Sequence, residues 1–384
     1  VPNLKINIPK DIQDIHKLFK KNGKQLYIVG GAIRDAILGK SPKDYDLATN
    51  ATPDEMLRIA NRGGYKTLEL GKSFGVIVIR TKQTPDGHEI ATFRKDIGKG
   101  RRPDSVEYTD IKGDVERRDL TINALFYDMD SKQIVDLVGG IADLKKKQIR
   151  TVGVPTERFD EDPLRKLRAL RFAGLLKGTL GKETYKALKD NPSLGGVSPE
   201  RIRDEFIKGI LKSKSTKAYF KMISDLGFWG QILPGVHVAT DYIETNDYEI
   251  QLAWLLRKNS STILKSKLNY LKYSIEESRN ILFLLMLSEF NPDDIFLIKK
   301  AQENVNLSDR QVSNWGKLIG SASNIQRILK FKLSINGEDL LKMGLKGKQI
   351  GDKMKELETK KFLGLNESMM SLKSYMLFGG TYVV

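Results

Sequence analysis

Cysteine is absent from all 384 residues of the chain. That excludes disulfides, thiolate nucleophiles and zinc-thiolate sites. Histidine is nearly as scarce, and His16, His88 and His237 form no cluster. Long apolar runs are missing too: the longest, ILFLLML at 281–287, is far below the roughly 20 residues a membrane span needs. The opening stretch VPNLKINIPKDIQDIHKLFKK carries no signal-peptide core. Together these absences predict a soluble protein with no membrane attachment, resident in the cytoplasm unless a trimmed targeting segment sends it to an organelle.

What the chain has in excess is positive charge. Lys plus Arg number 65 against 48 acidic residues, a net +17, which is the electrostatic footprint of a polyanion binder, nucleic acid first among them. With 40% hydrophobic residues it can bury an ordinary core. Strand signals (QLYIV, FGVIVI, EIATF, ALFYD, QIVDLVG) alternate with helical ones (AIRDAILG, PDEMLRIANRGG) over the first 150 residues. From TERFDEDPLRKLRALRFAGLL onward, helical periodicity takes over and is broken by turn clusters such as DNPSLGGVSPE and EFNPDD. An α/β head followed by a helical assembly is the expectation.

Asp44 and Asp46 stand one residue apart in KSPKDYDLATN. In an extended segment such positions point to the same side, and two carboxylates on one face repel unless a divalent cation lies between them. Upstream, Gly30 and Gly31 join a strand to a helix with Arg34 one turn in, a place where bare backbone N–H groups can meet phosphate. GKS at 71–73 is not a Walker A loop, because position 66 is Lys66.

The order Gly-Gly, Arg, Asp-x-Asp in VGGAIRDAILGKSPKDYDLATNATPDE resembles the nucleotidyltransferase signature of class II tRNA nucleotidyltransferases and bacterial poly(A) polymerases. RRPDSVEY (101–108), ERRDLTINALFYD (116–128), VDLVGGIADLKKKQIRTVG (135–153), ERFDEDPLRKLRALRFA (157–173) and SPERIRDEF (198–206) resemble later blocks of that family, in order.

The resemblance implies an α+β fold: a head with a five-stranded mixed sheet (1–150), a helical neck (151–206), a helical body (207–300) and a helical tail (301–384), elongated overall. It implies Mg2+ held by Asp44 and Asp46, with Glu89 a third acidic residue that approaches the metals, and a triphosphate contacted by Arg118 in a pocket that Asn123 helps to shape. Asp162 is expected to cap a helix whose first turn takes Pro163 and whose packing face is Leu164, Leu167 and Leu170. Asp162, Arg165, Arg168 and Arg171 recur every three residues, the spacing of a salt-bridged helix surface. In the resembling family the Glu-Asp-x-x-Arg block is instead a protein template for CTP and ATP. It carries over onto Glu161, Asp162 and Arg165, with Arg168 and Arg171 as further nucleotide contacts. Cytosine and adenine both set an amino donor beside a ring-nitrogen acceptor, which a carboxylate and an arginine match.

Within the family, three features point to addition of the whole CCA end. FRKDIGKGRRPDSVEYTDIKGD is retained, whereas its shortening goes with CC-adding relatives. LSINGEDLLKMGLKGKQIGDKMKEL (333–357) resembles the tail helices of bacterial CCA-adding enzymes, without the prolines common in its turn, and a long basic extension of the poly(A) polymerase kind is missing. Body and tail are then expected to hold the acceptor and TψC arms of tRNA. A poly(A) polymerase, a CC- or A-adding enzyme and a non-catalytic RNA-binding protein are the alternatives.

Overall fold

The computed structural model describes residues 6–98, 104–289, 291, 295–331 and 335–362. Residues 99–103 of the retained 93–114 segment, most of the EFNPDD turn, the first two residues of the 333–357 match and the tail beyond 362 lie outside them. The described chain divides into two compact units, residues 1–234 and 235–384.

In the first unit, strands β1 (Leu26–Val29), β2 (Asp46–Thr49), β3 (Lys66–Gly71), β4 (Val76–Arg80) and β5 (His88–Thr92) come first. Strands β6 (Arg94–Ile97), β7 (Ser105–Tyr108), β8 (Phe126–Asp128) and β9 (Gln133–Val135) follow. Seven of them form one mixed sheet in the order β3-β4-β5-β2-β1-β8-β9, so the expected five-stranded sheet is corrected to seven. The two strands the sequence hid are β2, whose four residues open on Asp46, and β3, where KTLELG does not alternate cleanly. Within this seven-stranded sheet, only the β2–β5 pairing is parallel. β6 and β7 pair as a separate antiparallel hairpin inside the 93–114 segment.

Helix α1 (Lys10–Lys21) buries Ile12, Ile15 and Phe19 at helical spacing. Helix α2 (Gly31–Ile37) follows β1 directly, and α3 (Pro53–Arg62) opens on a capping box between Thr52 and Glu55. Helices α4 (Ile111–Glu116) and α5 (Gly140–Lys146) flank β8 and β9 in the chain. Beyond the sheet come α6 (Pro155–Glu161), α7 (Leu164–Leu176), α8 (Lys182–Asp190) and α9 (Pro199–Lys212), with α7 packed along α9.

Helix α7 carries Leu164, Leu167 and Leu170 into the core as expected. Its start differs: Pro163 is the capping position, and Asp162 sits at the α6–α7 junction, accepting the Leu164 N–H through Oδ1 at 3.2 Å.

The second unit is helical over its described residues. The helix Ile275–Ser288 contains the ILFLLML run and buries Ile281, Phe283, Leu284 and Leu287, so that run is core. Beside it Glu249 is buried, accepting from Asn280 at 2.7 Å and Gln311 at 3.1 Å. No described helix is long and apolar enough to cross a membrane.

Candidate active site

The β1–α2 connection is built on Gly30, whose φ of +70° favours glycine. Its N–H donates to the Leu125 carbonyl at 2.9 Å, which fixes the turn. Two guanidinium groups lie over this turn: a Cβ on Gly30 would meet Arg118 Nη1 at 3.6 Å, and one on Gly31 would meet Arg34 Nη2 at 3.5 Å. Asn123 ties the two together. Its Oδ1 accepts from Arg34 Nη1 at 2.7 Å, while its carbonyl accepts from Arg118 Nη1 at 3.4 Å. Gly30, Gly31, Arg34, Arg118 and Asn123, spread over ninety-odd residues of sequence, thus form one cradle of guanidinium and backbone donors, its arginines held by Asp35 and Asp114, with the chemistry to receive phosphate.

Asp46 pairs with Val29, the residue before Gly30. Among the described residues neither Asp44 nor Asp46 has a hydrogen-bonding or ion-pairing partner for its carboxylate. Solvent reaches Asp46, yet the surrounding protein displaces enough water to push its carboxyl pKa up; Arg118 opposes that shift and the Asp44 charge adds to it. Two unpaired carboxylates of this kind, with Asp46 partly desolvated and feeling the charge of Asp44, fit a divalent cation, which relieves both costs at once.

Extending the β2–β5 register by one residue sets Glu89 beside Asp46, and its exposed side lies opposite the buried His88 and Ile90. Yet among the described residues no three acidic or histidine side chains come together to hold a metal, so Glu89 does not join the pair in one cluster.

From Arg118 the site continues into a cavity of about 380 Å³, lined by the charged side chains of Arg118, Asp119, Asp162, Arg165, Arg168 and Arg201, among others. The four neck residues spaced by three do not pair with one another. Arg165 Nη1 binds Glu161 at 2.7 Å and its Nη2 donates to the Arg117 carbonyl at 3.0 Å. Arg168 Nε binds Asp119 at 2.7 Å, Asp162 accepts from Arg201 Nη2 at 2.8 Å, and Arg171 is paired with Glu205. The ladder that i, i+3 spacing alone would give does not form among these four side chains: Asp162, Arg168 and Arg171 take long-range partners, and Arg165 takes a local one, Glu161.

Burial alone would raise the Asp119 carboxyl; the Arg168 guanidinium, with hydrogen bonds from Arg168, the Leu120 N–H and Asn123, holds it below the ordinary range. Asp114, likewise buried, is held down by Arg118 and Arg117, which it grips at 2.9 and 2.8 Å. Arg171 stands apart from the others. It is buried and does not line the cavity.

Sequence reasoning missed three supports. Phe172 lies beneath Arg34, Arg168 and Arg171, with its centroid 4.9, 5.8 and 4.2 Å from their guanidinium carbons. Asp114 anchors Arg118. Arg201 lies on α9, where Arg201, Asp204, Glu205 and Lys208 all reach the cavity wall. Their i, i+3, i+4, i+7 spacing in the SPERIRDEF region was the signal that could have found them.

The Poly A polymerase head domain matches residues 26–150, and the probable RNA and SrmB-binding site of polymerase A matches residues 179–240. The CCA-adding enzyme of Lactobacillus helveticus is 32% identical over 362 residues, covering 87% of this chain and 89% of that one. The chain belongs to the CCA-adding enzyme family. Identity is higher, 40%, to the CCA-adding enzyme of Bacillus licheniformis, where the match spans 56% of this chain and 53% of the relative. Among solved structures, the Thermotoga maritima CCA-adding enzyme complexed with tRNA-CCA superposes with a TM-score of 0.69 over 96% of each chain at 21% identity, a likeness of fold. The head-domain match begins at β1 and ends after α5, so both the glycine turn and the Asp44–Asp46 edge of this family member fall within it.

Proposed function

We propose that the protein adds the CCA end to tRNA without a nucleic-acid template, using CTP and ATP. The single observation that carries this reading is the continuity of the site: an unpaired aspartate edge, a two-arginine cradle and a charged cavity, joined through Arg118. Arg34 and Arg118, over the Gly30–Gly31 turn, bind the triphosphate. Asp44 and Asp46 would hold a divalent cation, Mg2+ in this reading, whose contribution when bound is Lewis-acid stabilisation of charge on the transferring phosphate. Asp162 and Arg165 select the base, one accepting from the amino group and the other donating to the ring nitrogen. Arg168 lines the same cavity, locked to Asp119 and resting on Phe172.

In the reaction the RNA 3′-hydroxyl gives up its proton to solvent as its oxygen bonds to the α-phosphorus, the bond from that phosphorus to the bridging oxygen breaks, and pyrophosphate leaves. Residues 1–150 serve as catalytic head, 151–206 as neck, 207–300 as body and 301–384 as tail. The surplus of 65 basic over 48 acidic residues serves the acceptor and TψC arms of tRNA. The compartment is that of tRNA, the cytoplasm or an organelle.

A gel of products made from a tRNA ending before CCA, with CTP, ATP or both, tests the reading. Addition stopping at three nucleotides, and requiring both triphosphates, is the expected result. A long adenylate product would assign a poly(A) polymerase, and one or two added nucleotides a partial enzyme.

A further inference from the structure

The side chains of Asp162 and Arg165, the two assigned to the base, share no hydrogen bond among the described residues; each is held from elsewhere. Arg165 is tied to Glu161 and to the Arg117 carbonyl. Both oxygens of Asp162 are engaged, Oδ1 by the Leu164 N–H at the start of its own helix and Oδ2 by Nη2 of Arg201, 39 residues further along the chain. A base edge is read by an acceptor and a donor set at a fixed separation, so whatever fixes the Asp162 carboxylate fixes the code.

Arg201 suits that task. It lies in the first turn of α9, where the Ser198 hydroxyl caps the helix, so its backbone is set by the helix start. Its side chain is about one-fifth exposed and that of Asp162 one-eighth, enough desolvation for a charge-assisted bond to hold one geometry. Arg201 Nε is buried with no hydrogen-bond partner, so the side chain is held by what its terminal nitrogens grip. One turn on, Glu205 takes Arg171 of α7, so α9 holds the α6–α7 junction at Asp162 and α7 itself at Arg171.

We infer that Arg201 is a positioning residue for nucleotide choice: it acts through Asp162, orienting the carboxylate that accepts the amino group of C or A, and does not itself contact the base. This rests on the proposed base-reading role of Asp162.

The test is a double-mutant cycle on discrimination. kcat/KM for CTP, ATP, UTP and GTP is measured with Arg201→Ala, Asp162→Ala, the double variant and Arg201→Lys, with thermal unfolding alongside. Arg201→Ala should relax the preference for C and A over U and G by roughly 10-fold. Adding it to Asp162→Ala should relax it no further, and Arg201→Lys, which keeps a charged donor, should recover most of the preference. If Arg201→Ala yields too little folded protein, Arg201→Gln, with one amide donor, carries the same comparison. An unchanged preference in the Arg201 variants while Asp162→Ala loses it would overturn the inference and leave the base-reading role standing. A full further loss in the double variant would assign Arg201 an independent contact and overturn it equally. Preference surviving in Asp162→Ala itself would remove the base-reading role, and the inference with it.

Discussion

The aspartate edge and the neck cavity share Arg118 and are built on opposite electrostatic plans. At the edge, Asp44 and Asp46 face each other's charge with no basic partner among the described residues, and burial pushes the Asp46 carboxyl up. In the cavity nearly every named charge is matched: Arg168 with Asp119, Asp162 with Arg201, Arg165 with Glu161. An unmatched pair is a stored electrostatic cost that a bound cation releases, so it marks where a ligand supplies the missing charge. Matched pairs hold geometry, so they mark where shape and donor order must stay fixed between turnovers. In the proposed function, chemistry and selection are thereby separated along one site.

The largest effect should come from breaking the unmatched edge. Asp44→Ala or Asp46→Ala is expected to lower incorporation of both C and A by on the order of 10³-fold or more, since the cation they would hold serves every transfer. Affinity for tRNA should stay near the wild-type value. Removing one of two repelling carboxylates should leave the melting temperature unchanged or raised. Wild-type turnover in either variant, or loss of CTP incorporation alone, would refute the assignment, and a fall in melting temperature would make the pair structural.

Breaking a matched pair should act on stability first. Arg171→Ala leaves Glu205 buried without its partner, at a cost of about 3 to 5 kcal/mol. Replacing both partners, Arg171→Met with Glu205→Leu, should recover most of that loss, since two desolvated charges are removed together. Urea unfolding measures both. Because Arg171 is buried outside the cavity lining whereas Glu205 reaches its wall, the KM comparison belongs to Arg171→Met alone, which should keep KM for CTP and ATP near wild type. A large rise in KM would instead return Arg171 to the nucleotide contacts that the family resemblance implied.

Local patterns in the sequence announced the Gly30–Gly31 turn, the Asp44–Asp46 spacing and the leucine face of α7, because each depends on residues within one or two turns of chain. β2 and β3 stayed hidden. A four-residue strand opening on an aspartate and a strand without clean alternation owe their state to neighbours in the sheet. The same limit explains the neck: Arg168 reaches 49 residues to Asp119, and Asp162 reaches 39 to Arg201, so the ladder that i, i+3 spacing alone would give lost to partners brought in by the fold. Phe172 escaped notice because an aromatic beside arginines is common, and only the stacking of Arg34 from α2 gives it meaning.

The smallest effect sharpens the contrast within the head itself. Asp11 on α1 is buried, as is His88, the neighbour of Glu89 on β5. Burial pushes the Asp11 carboxyl up, but hydrogen bonds from His88, Thr81 and Thr84 to its Oδ2, at 2.7 to 2.8 Å, outweigh that and bring its pKa down from 3.8 to about 2. Here is a carboxylate with partners, shifted in the opposite direction from Asp46. A pKa depressed on folding stabilises the native state fully above the unfolded value and loses its effect as pH falls through the folded one. The difference is worth about 2 kcal/mol at pH 5, and about half of it should remain at pH 3. Urea midpoints for wild type and Asp11→Asn, taken at pH 5, 4 and 3, should therefore converge as the pH drops. A gap that stays constant would mean that Asp11 acts through packing and neutral hydrogen bonds, and that its charge contributes nothing.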